Sequence, residues 1–123
     1  MKYIIVSTTF ENKKDARELA KKVIQNKLGA CAQITELESY YVQMPNSFGS
    51  SQNSKMKKEF SDNWKGKVTT SNEYRVSIKT LSKNYKKLED FIKKNHTYDL
   101  PEIVATKIKK GSKDYLNWIK NNC

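Results

Sequence analysis

Residues 93–104 read KKNHTYDLPEIV and contain the chain's only histidine. His96 is followed within six residues by Asp99 and Glu102, with Tyr98 and Pro101 between them. An imidazole near two carboxylates has two chemistries open to it. It can offer nitrogen and oxygen donors to a divalent ion such as copper or zinc, held loosely by two or three ligands. It can also form the titratable pair that general acid–base catalysis needs. A third role is architectural. His96 follows a helical pattern, where a cation is favoured and a side chain can satisfy last-turn carbonyls. Glu102, directly after Pro101, has as partner a lysine such as Lys79 in a structural ion pair, or a bound cation. The residues alone leave these roles open.

Little else in the chain carries reaction chemistry. The sequence has no glycine-rich phosphate loop, nucleophile elbow, Cys-x-x-Cys or His-x-x-x-His motif, so a non-catalytic protein is expected. Cys31 lies in an apolar stretch and reads as a buried strand cysteine, and Cys123 is the last residue. They make no disulfide framework, and two free thiols suit a reducing, cytoplasmic setting. No secretory signal and no apolar run long enough to span a membrane is visible. The formal net charge is +11, from 24 Lys+Arg against 13 Asp+Glu. A surplus of that size raises nucleic acid as a partner. Only Arg17 and Arg75 are arginines, however, and the lysines run through every segment. Base reading and bidentate phosphate clamps favour arginine, so the charge reads as a solvated lysine surface.

The positioning elements follow from periodicity. Residues 2–10, KYIIVSTTF, form a β-branched and aromatic strand expected to be buried on both faces. Ala16, Leu19, Ala20, Val23, Ile24 and Leu28 recur every three or four residues, the spacing of an amphipathic helix. Asn12 is its expected N-cap and Gly29 its expected stop. Residues 30–42 read as a strand, bulged near Glu36 because Leu37 and Tyr41 fall out of step with Ile34. Residues 43–63 are polar and rich in serine and asparagine, and read as a long loop inserted in a single domain spanning 1–123. Strand character resumes at 64–68 and again at 72–80, with Tyr74, Val76 and Ile78 directed inward. A second amphipathic helix covers 82–95 with Ser82 as cap. A strand at 100–108 enters through Pro101. A short terminal helix follows Gly111, with Ser112 as its N-cap and Asp114 in its first turn.

The order β-α-β-β-α-β plus a C-terminal helix predicts an α+β, ferredoxin-like sandwich. Its two helices cover one sheet face and leave the other bare in a lone chain. Mean hydropathy is only −0.84, and tyrosines and tryptophans sit on the strands. A sheet bared in this way argues for an oligomer.

Several segments carry a family resemblance. NKLGACAQI (26–34), SYY (39–41), WKGKV (64–68), YRVSIKT (74–80) and above all HTYDLPEIVATKIKKGSKDYLNWI (96–119) resemble the CutA family of divalent-cation tolerance proteins. The match runs in order over nearly the whole chain apart from residues 43–63. The resemblance implies compact homotrimers whose sheets pack about a threefold axis, with long hairpins reaching the neighbouring subunit. Here Tyr40, Tyr41, Trp64, Tyr74 and Trp118 would pack the trimer. It also implies similarity to the PII-type signalling proteins, which bind small ligands between subunits and carry a partner-binding loop where residues 43–63 fall. Bacterial members are linked to tolerance of copper and other divalent metals, and animal homologues to acetylcholinesterase assembly. No reaction or required cofactor is implied. The family's proposed copper site joins a first-strand cysteine, a histidine and a glutamate, which fall here on Ser7, His96 and Glu102. A hydroxyl is a far poorer soft ligand than a thiolate. Tyr98 and Asp99 would line a small-ligand cleft, and loop 43–63 would meet a protein partner.

Overall fold

The structure, a computed structural model, describes residues 2–42 and 67–123. Loop 43–63 and Trp64 lie outside the described residues. The chain forms β1 (Tyr3–Phe10), α1 (Lys13–Gln25), β2 (Cys31–Val42), β3 (Val68–Leu81), α2 (Tyr85–Asn95), β4 (Val104–Lys107) and α3 (Lys113–Asn121). The strands make one antiparallel sheet in the order β2-β3-β1-β4. That is the expected ferredoxin-like, α+β arrangement.

The core lies between the helices and one sheet face. Ile4, Val6 and Phe10 of β1 and Val76 and Ile78 of β3 meet Ala16, Leu19 and Val23 of α1 and Leu88 and Ile92 of α2. All belong to alternate positions on their strands or to one stripe on their helices, so burying a single face organises the whole domain. The expectation that β1 is buried on both faces is not met. Tyr3, Ile5 and Ser7 point to the opposite face and are only half-buried, because α1 and α2 both pack on the core face.

Local signals hold in part. Asn12 caps α1, its Oδ1 accepting from the Lys14 amide at 2.8 Å, and Ser112 caps α3 by accepting from the Tyr115 amide at 3.3 Å. Ser82 is not a cap. It opens a 3-10 turn over Ser82–Asn84, and α2 starts only at Tyr85 without a side-chain cap bond. The end of α1 also differs from expectation. Lys27, not Gly29, takes the left-handed conformation, at φ 56. The Leu28 amide bonds back to the Val23 carbonyl at 3.0 Å, a Schellman closure. Gly29 is needed for space instead. A Cβ there would stand 2.5 Å from Ile78 Cγ2 and 3.2 Å from Val23 Cγ1.

β2 carries no bulge. Its pairing with β3 keeps one register from Cys31↔Lys79 to Val42↔Val68. Leu37 and Tyr41 fall out of step with Ile34 because they face the other side of a regular strand. Past Glu36 the hairpin leaves the helix layer, so its inward side is no longer the helix side. β4 is shorter than expected, four residues rather than nine, for a reason found at His96.

Candidate functional site

The β1 ladder explains how His96 is held. Odd residues of β1 direct their peptide groups toward β4, since the Tyr3 carbonyl accepts from the Ile108 amide at 2.9 Å and paired positions alternate along an antiparallel ladder. Pairing then runs from Ile4↔Lys107 to Ser7↔Val104. In the same register the next carbonyl toward β4 is that of Thr9. It accepts instead from His96 Nε2 at 2.8 Å. The imidazole takes the place of a ladder donor, and pairing stops. Residues 97–103 therefore approach without joining the sheet.

The other ring nitrogen is also engaged. His96 Nδ1 accepts the Tyr98 amide at 3.0 Å. A carbonyl can only accept and an amide can only donate, so the proton sits on Nε2 and the ring is neutral. Phe10 stacks on the imidazole with centroids 4.0 Å apart and planes inclined by 9°. Burial holds the His96 pKa below its ordinary value, although the Thr9 bond and the charges of Asp15 and Glu73 pull the other way. The helix end needs no help from His96. Asn95 Nδ2 donates to the Phe91 carbonyl at 2.8 Å, so the last-turn role expected of His96 falls to its neighbour.

Tyr98 extends the cluster. Its hydroxyl donates to Glu73 Oε2 at 3.0 Å. Burial, then the charge of Glu73, pushes the phenol well above the ordinary tyrosine range, so it stays protonated. Glu73 is only 8% exposed. Nothing in the sequence marks it, because its alternation places it with outward residues such as Arg75. Phe10 and the Thr9 carbonyl were equally silent.

The remaining expected site residues do not converge on the imidazole. Glu102 Oε2 lies 4.0 Å from Arg75 Nη2, with both side chains over 40% exposed. Its partner is thus Arg75. Lys79 instead approaches the Tyr115 hydroxyl at 3.3 Å, with its ammonium 5.3 Å from that ring's centre. Asp99 is exposed in the loop. Ser7 sits in the β1 ladder between Ser77 and Val104. Among the described residues, no group of three or more His, Cys, Asp or Glu side chains is arranged to hold a metal ion. The donor chemistry agrees. Ser7 supplies no thiolate, the one lone pair of His96 accepts an amide proton, and Glu102 faces a guanidinium. These residues do not fit a copper centre as they stand.

The aromatic residues expected at a subunit interface divide. Tyr40 is 67% exposed on the projecting hairpin and Trp118 is 44% exposed on α3, stacked with Tyr115 at 5.6 Å. Tyr41 is half-buried, its hydroxyl accepting from Ser71 at 3.4 Å. Tyr74 packs against the chain's own core. Separately, a cleft of about 540 Å³ opens between the start of α2 and β4, lined by Ile4, Lys83, Tyr85, Lys86 and Lys107 among others. None of the expected site residues lines it.

Comparison with known proteins places this arrangement. The family described as CutA1 divalent ion tolerance protein matches residues 4–47 and 60–122. A rice protein described as "Protein CutA 1, chloroplastic" is 35% identical over 97% of this chain, which spans 56% of its length. The divalent-cation tolerance protein CutA of Thermus thermophilus is 29% identical over 96% of this chain and 95% of its own. A crystal structure of CutA1 from Oryza sativa superposes with a TM-score of 0.78 at 34% identity, over 99% of this chain and 94% of that one. The chain belongs to the CutA1 divalent ion tolerance family.

Proposed function

We propose that the protein acts in divalent-cation tolerance as a non-catalytic homotrimer, contacting cations weakly through exposed carboxylates near its subunit clefts. The observation that carries the assembly is the bare sheet face with its exposed apolar neighbours. Val104 is 50% exposed, Leu100 57%, Tyr115 41% and Trp118 44%, and the hairpin adds Tyr40, Val42 and Val68. Surfaces of this kind are covered by association, and identical copies close in cyclic symmetry. Glu102 and Asp99, both exposed, offer hard carboxylate oxygens, which are poor ligands for Zn(II) or Cu(II) without imidazole or thiolate beside them, so contact with such ions is loose and exchangeable. A cytoplasmic setting suits the two free, half-buried cysteines. Relatives occupy other compartments by name, chloroplastic in rice and periplasmic in Archaeoglobus fulgidus.

Light scattering on the purified chain should give three times the subunit mass. Calorimetric titration with Cu(II), Zn(II) and Ni(II) should give weak binding that falls in Glu102→Gln. A monomer at micromolar concentration contradicts the assembly, and unchanged titrations in the variant contradict the carboxylate contact.

A second reading is a protein-interaction scaffold presenting residues 43–63 to a partner. One finding favours it. The family match is interrupted at residues 48–59, inside that segment, which supports reading this stretch as an addition to the shared fold. Deleting 43–63 should then abolish partner capture and leave cation titrations unchanged.

A further inference from the structure

We infer that His96 is a positioning residue, a neutral ladder cap that pins the loop entering β4 to the end of β1, and not a metal ligand. A bond from Nε2–H to a carbonyl would not by itself exclude ligation, because metal-binding histidines usually donate their other N–H in that way. The second bond decides the matter. The only lone pair of the ring, on Nδ1, accepts the Tyr98 amide at 3.0 Å. An ion reaching Nδ1 would have to displace that amide. An ion reaching Nε2 would need the other tautomer, which orphans the Thr9 carbonyl and sets two N–H donors against each other at Tyr98. The ring is also fixed in plane by Phe10 at 4.0 Å and lies 4.9 Å from the Tyr98 ring. Tyr98 in turn is tied to Glu73 on β3. One side chain thereby joins β1, the end of α2, the loop and, through Tyr98, β3.

The charged and titratable groups around the ring are Asp15 on α1, Glu73 on β3 and the Tyr98 phenol. The two carboxylates favour a cation here, yet burial outweighs them and holds the ring neutral. Protonating Nδ1 would replace an acceptor by a donor facing the Tyr98 amide, so acid opens the same bond that an ion would have to open.

The chain's only histidine gives a single set of imidazole signals, so a long-range proton–nitrogen spectrum reads it directly. At pH 7.5 the wild type should show a protonated Nε2 and an unprotonated, hydrogen-bonded Nδ1. One equivalent of Zn(II) per subunit should leave those signals in place. His96→Gln, which keeps a donor and an acceptor but no basic nitrogen, should bind Zn(II) within about twofold of wild type by calorimetry. Ring signals that shift or broaden with the first equivalent of Zn(II), or a tenfold affinity loss in His96→Gln, would overturn the inference. The wild-type spectrum decides even where the variant does not fold.

Discussion

The fold contains two helix-to-strand crossings, and they are closed by different means. The first, α1 to β2, is closed by backbone and packing. Lys27 turns left-handed, the Leu28 amide bonds to the Val23 carbonyl, the Thr80 hydroxyl donates to the Leu28 carbonyl at 2.8 Å, and Gly29 lies against Ile78. These contacts use backbone groups, a hydroxyl and apolar packing, with no ionisable side-chain atom among them. The second, α2 to β4, is closed by an imidazole between the Thr9 carbonyl and the Tyr98 amide. It depends on one side chain and on that side chain being neutral. Equivalent topological tasks can thus be carried out by a pH-indifferent device or by a pH-dependent one. The second crossing is also the segment of strongest family resemblance, so its residues invite a chemical reading that the geometry turns toward architecture.

Removing the imidazole should break the second crossing most severely. His96→Ala removes the imidazole that bonds the Thr9 carbonyl and the Tyr98 amide and empties the space on Phe10. An unsatisfied, partly buried polar group costs about 1–3 kcal/mol and a lost aromatic contact about 0.5–1.5 kcal/mol. Urea unfolding at fixed subunit concentration should show a loss of about 2–4 kcal/mol. Hydrogen exchange should rise first in residues 97–103. A variant as stable as wild type would remove the imidazole from the account.

The first crossing should break by crowding. Gly29→Ala places a methyl 2.5 Å from Ile78 Cγ2, and Ile78 is fully buried. Overpacking of this kind costs about 1–3 kcal/mol, and the loss should be the same at pH 5 and pH 8. A smaller change should strengthen the same crossing. Lys27→Gly relieves a left-handed conformation that costs a non-glycine residue about 1 kcal/mol, so the midpoint of unfolding should rise slightly. A fall would show that the lysine side chain contributes more than its backbone strain costs.

These two crossings also show how far the sequence could be read. The apolar spacing in α1 and the alternation in β3 are local and periodic, so element order and fold class were accessible from them. Asn12 and Ser112 were readable as caps because a cap acts within three residues. Gly29 looked like a helix stop, since a glycine after a helix usually is. Its actual constraint is contact with Ile78, 49 positions away along the chain. The bulge expected at Glu36 rests on Leu37 and Tyr41 falling out of step with Ile34, which a regular strand with its half-buried side chains switching faces produces as well. His96 stands out in the sequence as its lone histidine, but its partners do not. The Thr9 carbonyl leaves no trace in any side-chain pattern, and Glu73 has the parity of a surface residue. Register decides which backbone group an imidazole meets, and register is a property of the assembled sheet.

The most direct test is the pH dependence of unfolding for wild type against His96→Gln, between pH 8 and pH 5, at one subunit concentration because assembly shifts apparent stability. Burial lowers the folded-state pKa of His96, so near pH 6 the unfolded chain binds more protons there than the folded one. Stability from this group is therefore complete above its unfolded value of about 6.5 and is lost as pH falls below it, no faster than about 1.4 kcal/mol per pH unit. Wild type should lose stability relative to His96→Gln as the solution is acidified. A wild type that gains stability in acid relative to the variant, as a cationic histidine stabilising the end of α2 would produce, contradicts that expectation, as do parallel profiles.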